Sequence, residues 1–239
     1  MNARPTGQVC AYCGIAPATT ADHVLARKFF LEPHRGNLPQ VPACAPCNNA
    51  KAALEQYVMS CAAFGGTHAE ALANLEDLVP QRLEKNLRLK RELAESLKVE
   101  TLTGDDGVVR EVMTIAFDSA KYAELCTYIA RGLALHHWGV LLPATHTAVA
   151  FCITTGGEEL LKRVLPKNAR ANVNVNVGEG AFVYEGGQAT DDPALTVWRF
   201  ALYGVTMGGD PEAPNAVVGS VIAATGRKEA MATFMKMAA

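Results

Sequence analysis

Two Cys-x-x-Cys pairs, Cys10-Ala-Tyr-Cys13 and Cys44-Ala-Pro-Cys47, constrain this chain more than any other feature. Each pair makes a tight turn that aims both sulfurs at one point. Two such turns complete a tetrahedral thiolate site, the arrangement that structural Zn²⁺ prefers. The thirty residues between Cys13 and Cys44 must therefore return as a loop or hairpin. Two disulfides are the alternative. Seven cysteines is an odd number and no signal peptide is visible, so a reducing, cytoplasmic setting is expected. A module of about 45 residues buries little apolar surface, so metal binding is expected to supply most of its folding energy. Four thiolates saturate the ion, and a closed site does no chemistry. Any catalysis has to come from other side chains in the bracket.

Those side chains are Asp22-His23, Asn37-Leu38, and Asn48 directly after the last cysteine, with Lys51 one turn further on. The layout Asp22-His23-Val-Leu-Ala-Arg, then Asn37-Leu, then Val-Pro-Ala-Cys44-x-x-Cys47-Asn48-Asn-x-Lys51 resembles the HNH endonuclease family. The resemblance covers residues 8–57 and implies two antiparallel strands and a helix around one divalent cation. It implies that His23 is the general base activating water, a task that suits a neutral imidazole. Asn37 matches the residue that braces the loop and orients the histidine. Asp22 and Asn48 match the ligands of a catalytic Mg²⁺ or Mn²⁺. The last motif position is Asn rather than His, and a neutral amide oxygen favours these hard ions. Arg27, Lys28 and Lys51 are the candidate nucleic-acid contacts, and His34 is an accessory candidate.

What the resemblance implies is metal-dependent hydrolysis of phosphodiester bonds in nucleic acid, double-stranded DNA first. The competing reading is a non-catalytic zinc module that binds nucleic acid or protein. A nuclease directed at RNA, or one triggered by a small ligand, is a further alternative. The net charge of −2 argues against a general nucleic-acid coat. Residues 1–60, however, carry five cationic against three acidic side chains. A nuclease needs to be basic only around its groove. No run approaches the roughly 20 apolar residues of a membrane span.

The chain reads as α+β: a zinc-stapled ββα module (residues 1–65), a helical connector (66–98), and a larger α+β domain (99–239) with a mainly antiparallel sheet. The first strand carries Asp22-His23. Arg27-Lys28-Phe29-Phe30-Leu31 reads as a short helix whose aromatics pack on the knot. A helix is expected from about Asn48 to Ala63, with Leu54, Tyr57, Val58 and Cys61 at helical spacing. Thr67-His68-Ala69-Glu70 reads as a capping box, and Pro80 as the first turn of a helix reaching about Lys98. The cations of residues 82–91 form i,i+4 pairs, as in Arg88–Glu92, and read as a solvated face. Val99 to Phe117 reads as a hairpin, and Asp118 as the cap of a helix bearing Tyr122, Leu125, Ile129 and Leu133. His136 and His137, about 100° apart on that helix, read as structural rather than as joint ligands. Thr155-Gly-Gly-Glu158 reads as a second capping box, opening a helix to about Leu165. Strands are expected at Ala171–Val177, where Asn and Val alternate, at Ala181–Tyr184, at Leu195–Met207 and at Val217–Ala224. Gly186-Gly187 and Gly208-Gly209 read as turns, Lys228–Met237 as a closing helix, and Cys126 and Cys152 as buried thiols. This later part holds no catalytic constellation; selecting substrate, forming a homodimer and sensing a signal are the roles open to it.

Overall fold

Two short strands pair first. β1 (Thr20–His23) and β2 (Gln40–Ala43) run antiparallel, with Asp22 opposite Val41 and His23 opposite Gln40. The chain then turns at Cys44 into α1 (Ala45–Cys61). Pro46 lies in the first turn, where a missing N–H costs nothing. The helix therefore starts three residues earlier than the apolar spacing suggests. The computed structural model describes residues 7–103, 108–154, 171–206 and 217–238.

α2 (Ala69–Lys85) and α3 (Leu87–Ser96) follow. His68, not Thr67, caps α2, its ring accepting from the Glu70 N–H. Pro80 lies inside α2 rather than starting a new helix. Its ring position is exposed, and so is Glu76 one turn earlier, where water can satisfy the carbonyl that loses its donor. The break falls instead at Asn86, whose side chain accepts from the Leu89 N–H. The expected Arg88–Glu92 pair is present on an exposed face.

β3 (Lys98–Thr103) and β4 (Val109–Thr114) form a separate antiparallel ribbon. α4 (Ser119–Trp138) is capped by Asp118, which accepts from the N–H groups of Ala120 and Lys121. The remaining strands are β5 (His146–Thr154), β6 (Ala171–Val177), β7 (Phe182–Gln188), β8 (Thr196–Thr206) and β9 (Val217–Arg227). They form one antiparallel sheet in the order β5-β9-β8-β7-β6, and α5 (Lys228–Ala238) closes the chain. Among the described residues the fold is α+β with antiparallel pairing throughout. The helix expected after Thr155 and the Gly208-Gly209 turn lie outside the described residues.

Strand alternation divides the sheet into two faces. Val175, Tyr184, Phe200 and Val221 share one face by register and join a core with α4. Val197, Ile222 and Ala224 share the other and pack with Met231 of α5. Gly186 is a strand residue of β7, not a turn. It sits opposite Trp198, and a Cβ there would lie 2.3 Å from Trp198 Cε3. The glycine is present because the indole fills its side-chain space.

α4 contacts α1 and β2 as well as β5, β8 and β9. One buried cluster accordingly runs from Cys10, Val24 and Leu25 through Leu125, Ile129 and Leu133 to Trp198 and Phe200. Gly132 lets α4 approach Val24, whose methyl carbons would lie 2.8 Å from an added Cβ. Phe29 and Phe30 are buried beside a one-turn helix (Arg27–Phe29), as expected, but Phe29 stacks on Phe182 of the sheet and meets Tyr203 edge-on. The module thus packs on the sheet through its aromatics. Among the described residues no helix is long and apolar enough to cross a membrane.

Candidate functional site

The first Cys-x-x-Cys turn is held by its own backbone. The Tyr12 N–H donates to Cys10 Sγ and the Ala16 N–H to Cys13 Sγ, both at 3.4 Å. Burial pushes the Cys13 thiol up, but the N–H groups of Ala16 and Ile15 and hydrogen bonds with Cys10 and Cys44 outweigh it and bring the thiol down to about 7. Gly14 takes φ +67 and packs so closely on the Leu142 carbonyl that a side chain would collide with it. The Ala11 N–H donates to the Pro42 carbonyl at 2.8 Å, tying this turn to β2 and so to the second pair. Cys44 stands at the N-cap of α1 and Cys47 in its first turn. The ligand atoms of Cys10, Cys13, Cys44 and Cys47 all lie within 4.8 Å of one another, close enough to hold one metal ion.

Asp22 and His23 end β1 beside α1. The Asp22 carboxylate accepts through Oδ2 from the Tyr12 hydroxyl at 2.5 Å and meets the Lys51 ammonium at 3.0 Å. Lys51 lies fully buried; its ammonium also donates to the His23 carbonyl at 2.8 Å and pairs with Glu55 one turn on. Burial first, then the Asp22 charge, push the Glu55 carboxyl and the Tyr12 hydroxyl above their ordinary values, with Lys51 pulling Glu55 back. Tyr12, Asp22, Lys51 and Glu55 therefore form one polar nest under the β1–β2 ribbon.

The predicted site residues do not all behave alike. Asn48 sits one turn before Lys51 on α1 and is half-buried. Lys51, one turn on, reaches Asp22. The His23 ring is half-buried, and its Nε2 lies 2.8 Å from Gln40 Nε2, its cross-strand neighbour. Gln40 is a direct hydrogen-bond partner of the imidazole. Asn37 is exposed in a left-handed conformation, φ 55, which asparagine tolerates. Burial, then the Arg27 cation, lower the His23 pKa; Asp22 opposes this and Lys51 adds to it.

Arg27 and Lys28 are exposed. Lys51 is not a surface contact: its ammonium points into the protein and is spent on Asp22, Glu55 and a backbone carbonyl. His34 does not reach the site either. Its Nδ1 pairs with buried Glu70 of α2, which raises its pKa. His136 and His137 pack edge-to-face, and His137 Nε2 lies 3.1 Å from the Tyr184 hydroxyl, a structural setting. Cys126 is buried and Cys152 half-buried. Tyr12, Gln40 and Glu55 were not singled out from the sequence. Gln40 could have been found, since a hairpin that places Asp22-His23 on one strand needs a partner opposite His23. No protein-family model, curated protein or solved structure matches the chain.

Proposed function

We propose that the chain is a metal-dependent endonuclease of the HNH type, acting on phosphodiester bonds in nucleic acid, double-stranded DNA above all. The observation that carries this reading is the ββα order: Asp22-His23 end the first strand, and Asn48 enters the helix directly after the four-cysteine cluster. The cysteine cluster suits zinc, whose tetrahedral thiolate bonds of about 2.3 Å set sulfurs about 3.8 Å apart. That ion is a staple. The donor set for a working cation is one carboxylate and one amide oxygen, a hard and incomplete set that suits Mg²⁺ or Mn²⁺ with water and phosphate completing the shell. Asp22 keeps acceptor capacity for it, because a carboxylate offers about four lone-pair positions and two donors meet Oδ2.

When bound, that cation supplies stabilisation of charge at the phosphate and the leaving oxygen. The chain's own part is proton handling and positioning. His23, its pKa lowered by burial and by Arg27, is the base for the attacking water; the Gln40 amide donates to His23 Nε2 in the resting site, so water takes the place of that amide before the nitrogen takes its proton. Exposed Arg27 and Lys28 attract the phosphate backbone.

One observation favours the competing reading of a non-catalytic zinc module: the Lys51 ammonium already neutralises Asp22. Supercoiled plasmid with Mg²⁺ or Mn²⁺ separates the two. Wild type is expected to nick it, His23→Ala to lose about 10²–10⁴-fold, the usual worth of a general base. Nicking that survives His23→Ala overturns the assignment. An RNA substrate run in parallel decides the substrate class.

A further inference from the structure

The turn that carries the first cysteine pair also delivers a side chain to the candidate site. Tyr12, between Cys10 and Cys13, is 4% exposed. Its hydroxyl donates to Asp22 Oδ2 at 2.5 Å. Its ring is held edge-on by Tyr128 of α4, with centroids 5.3 Å apart, and lies 5.8 Å from the Lys51 ammonium. The same Asp22 oxygen meets Lys51 at 3.0 Å, and Lys51 is itself anchored by Glu55 and the His23 carbonyl. The Asp22 carboxylate is therefore gripped at one oxygen by two groups that cannot move independently of α1, α4 and the cysteine turn.

We propose that Tyr12 is a positioning residue, which fixes the Asp22 carboxylate for a divalent cation and so links the cysteine cluster to the catalytic site. This rests on the nuclease reading. A free aspartate samples several rotamers, and a ligand that must be ordered on binding loses affinity for that ordering. A phenol held by a metal-stapled turn does that ordering in advance. Partners of this kind, one step behind a ligand, are worth about 10–100-fold in metal affinity or activity. Lys51 fixes the same oxygen but sets its own positive charge against the cation. Tyr12 orients the carboxylate without that opposing charge.

The test uses the full-length, zinc-loaded protein as wild type, Tyr12→Phe, Asp22→Asn and the double variant. Tyr12→Phe keeps the ring and its contact with Tyr128, so only the hydroxyl is removed. Mn²⁺ affinity is read by electron paramagnetic resonance, zinc content by elemental analysis, and kcat and KM on plasmid. Tyr12→Phe is expected to keep its zinc and its plasmid KM and to bind Mn²⁺ about 10–100-fold more weakly. Its kcat falls at low Mn²⁺ and recovers at high Mn²⁺. In the Asp22→Asn background the same substitution has no further effect. Wild-type Mn²⁺ affinity in Tyr12→Phe overturns the proposal. So does an equal loss in the Asp22→Asn background, and so does loss of zinc by Tyr12→Phe, since either makes the role structural. Wild type that binds Mn²⁺ but cleaves no nucleic acid overturns the nuclease reading instead and leaves the Tyr12 comparison readable.

Discussion

Lys51→Met is the substitution whose cost the structure defines best. The lysine side chain is 1% exposed and its ammonium has three partners: Asp22 at 3.0 Å, Glu55, and the His23 carbonyl at 2.8 Å. Methionine fills nearly the same volume, so cavity formation is a minor effect. The loss is electrostatic. Two carboxylates that shared one cation are left facing each other, and the His23 carbonyl loses its donor. Removing one member of a buried pair costs about 3–5 kcal/mol. The lower end applies here. The Asp22 and Glu55 side chains are each 14% exposed, so some water reaches them, and Glu55, already pushed toward its neutral form by burial, can take a proton. About 3 kcal/mol corresponds to a fall in melting temperature of about 6–12 °C for a chain of this length. Circular dichroism melts at neutral pH read it directly. Adding Glu55→Gln to Lys51→Met is expected to restore about 1 kcal/mol by removing one of the two opposed charges. A Lys51→Met protein within about 0.5 kcal/mol of wild type, the range of ordinary surface substitutions, refutes the claim that this ammonium holds the ribbon to α1.

The other expectations are narrower. If the four cysteines hold zinc as proposed, chelation is expected to unfold the β1–β2–α1 unit and abolish its near-ultraviolet dichroism, because metal binding supplies on the order of 10 kcal/mol in such sites; a verified metal-free protein with unchanged dichroism and melting temperature argues against it. Gly186→Ala should cost about 1–3 kcal/mol by overpacking against Trp198, read by denaturant titration followed by tryptophan fluorescence. His23 has a folded pKa below its ordinary 6.5, so the acid limb of kcat/KM is expected below pH 6.5 and should move up in Arg27→Gln, which removes a cation that lowers it. The same sign means that stability from His23 is present above pH 6.5 and is lost as pH falls through the folded value.

What was legible in the sequence was local. The paired cysteines fixed their own turns, Asp118 announced α4, and the Asn–Val alternation of residues 171–177 announced a strand with one wet face. What escaped was set by distant partners. Lys51 reads as a phosphate contact because it stands one turn inside the helix that follows Cys47; only the fold brings Asp22 over it. Gly186-Gly187 looked like a turn because the reason for the glycine, Trp198, stands on the next strand. Gln40 carries no local signal in the sequence because its importance lies in facing His23, a matter of register. Of the candidate site, the residue types could be read from spacing, but the burial of Lys51 and the exposure of Arg27 and Lys28 could not.

The shared helix α4 has a consequence for how this protein can change. Val24 and Leu25, beside the Asp-His pair, have no water contact, and Gly132 of α4 lies directly against Val24. A fragment ending near residue 65 would expose that apolar patch and lose the Tyr128 ring that steadies Tyr12. Cutting and splicing at that boundary, in the laboratory or by recombination, separates parts that keep each other dry. The two halves should travel through evolution as one cargo, and a graft onto a foreign partner would have to bring its own replacement for α4.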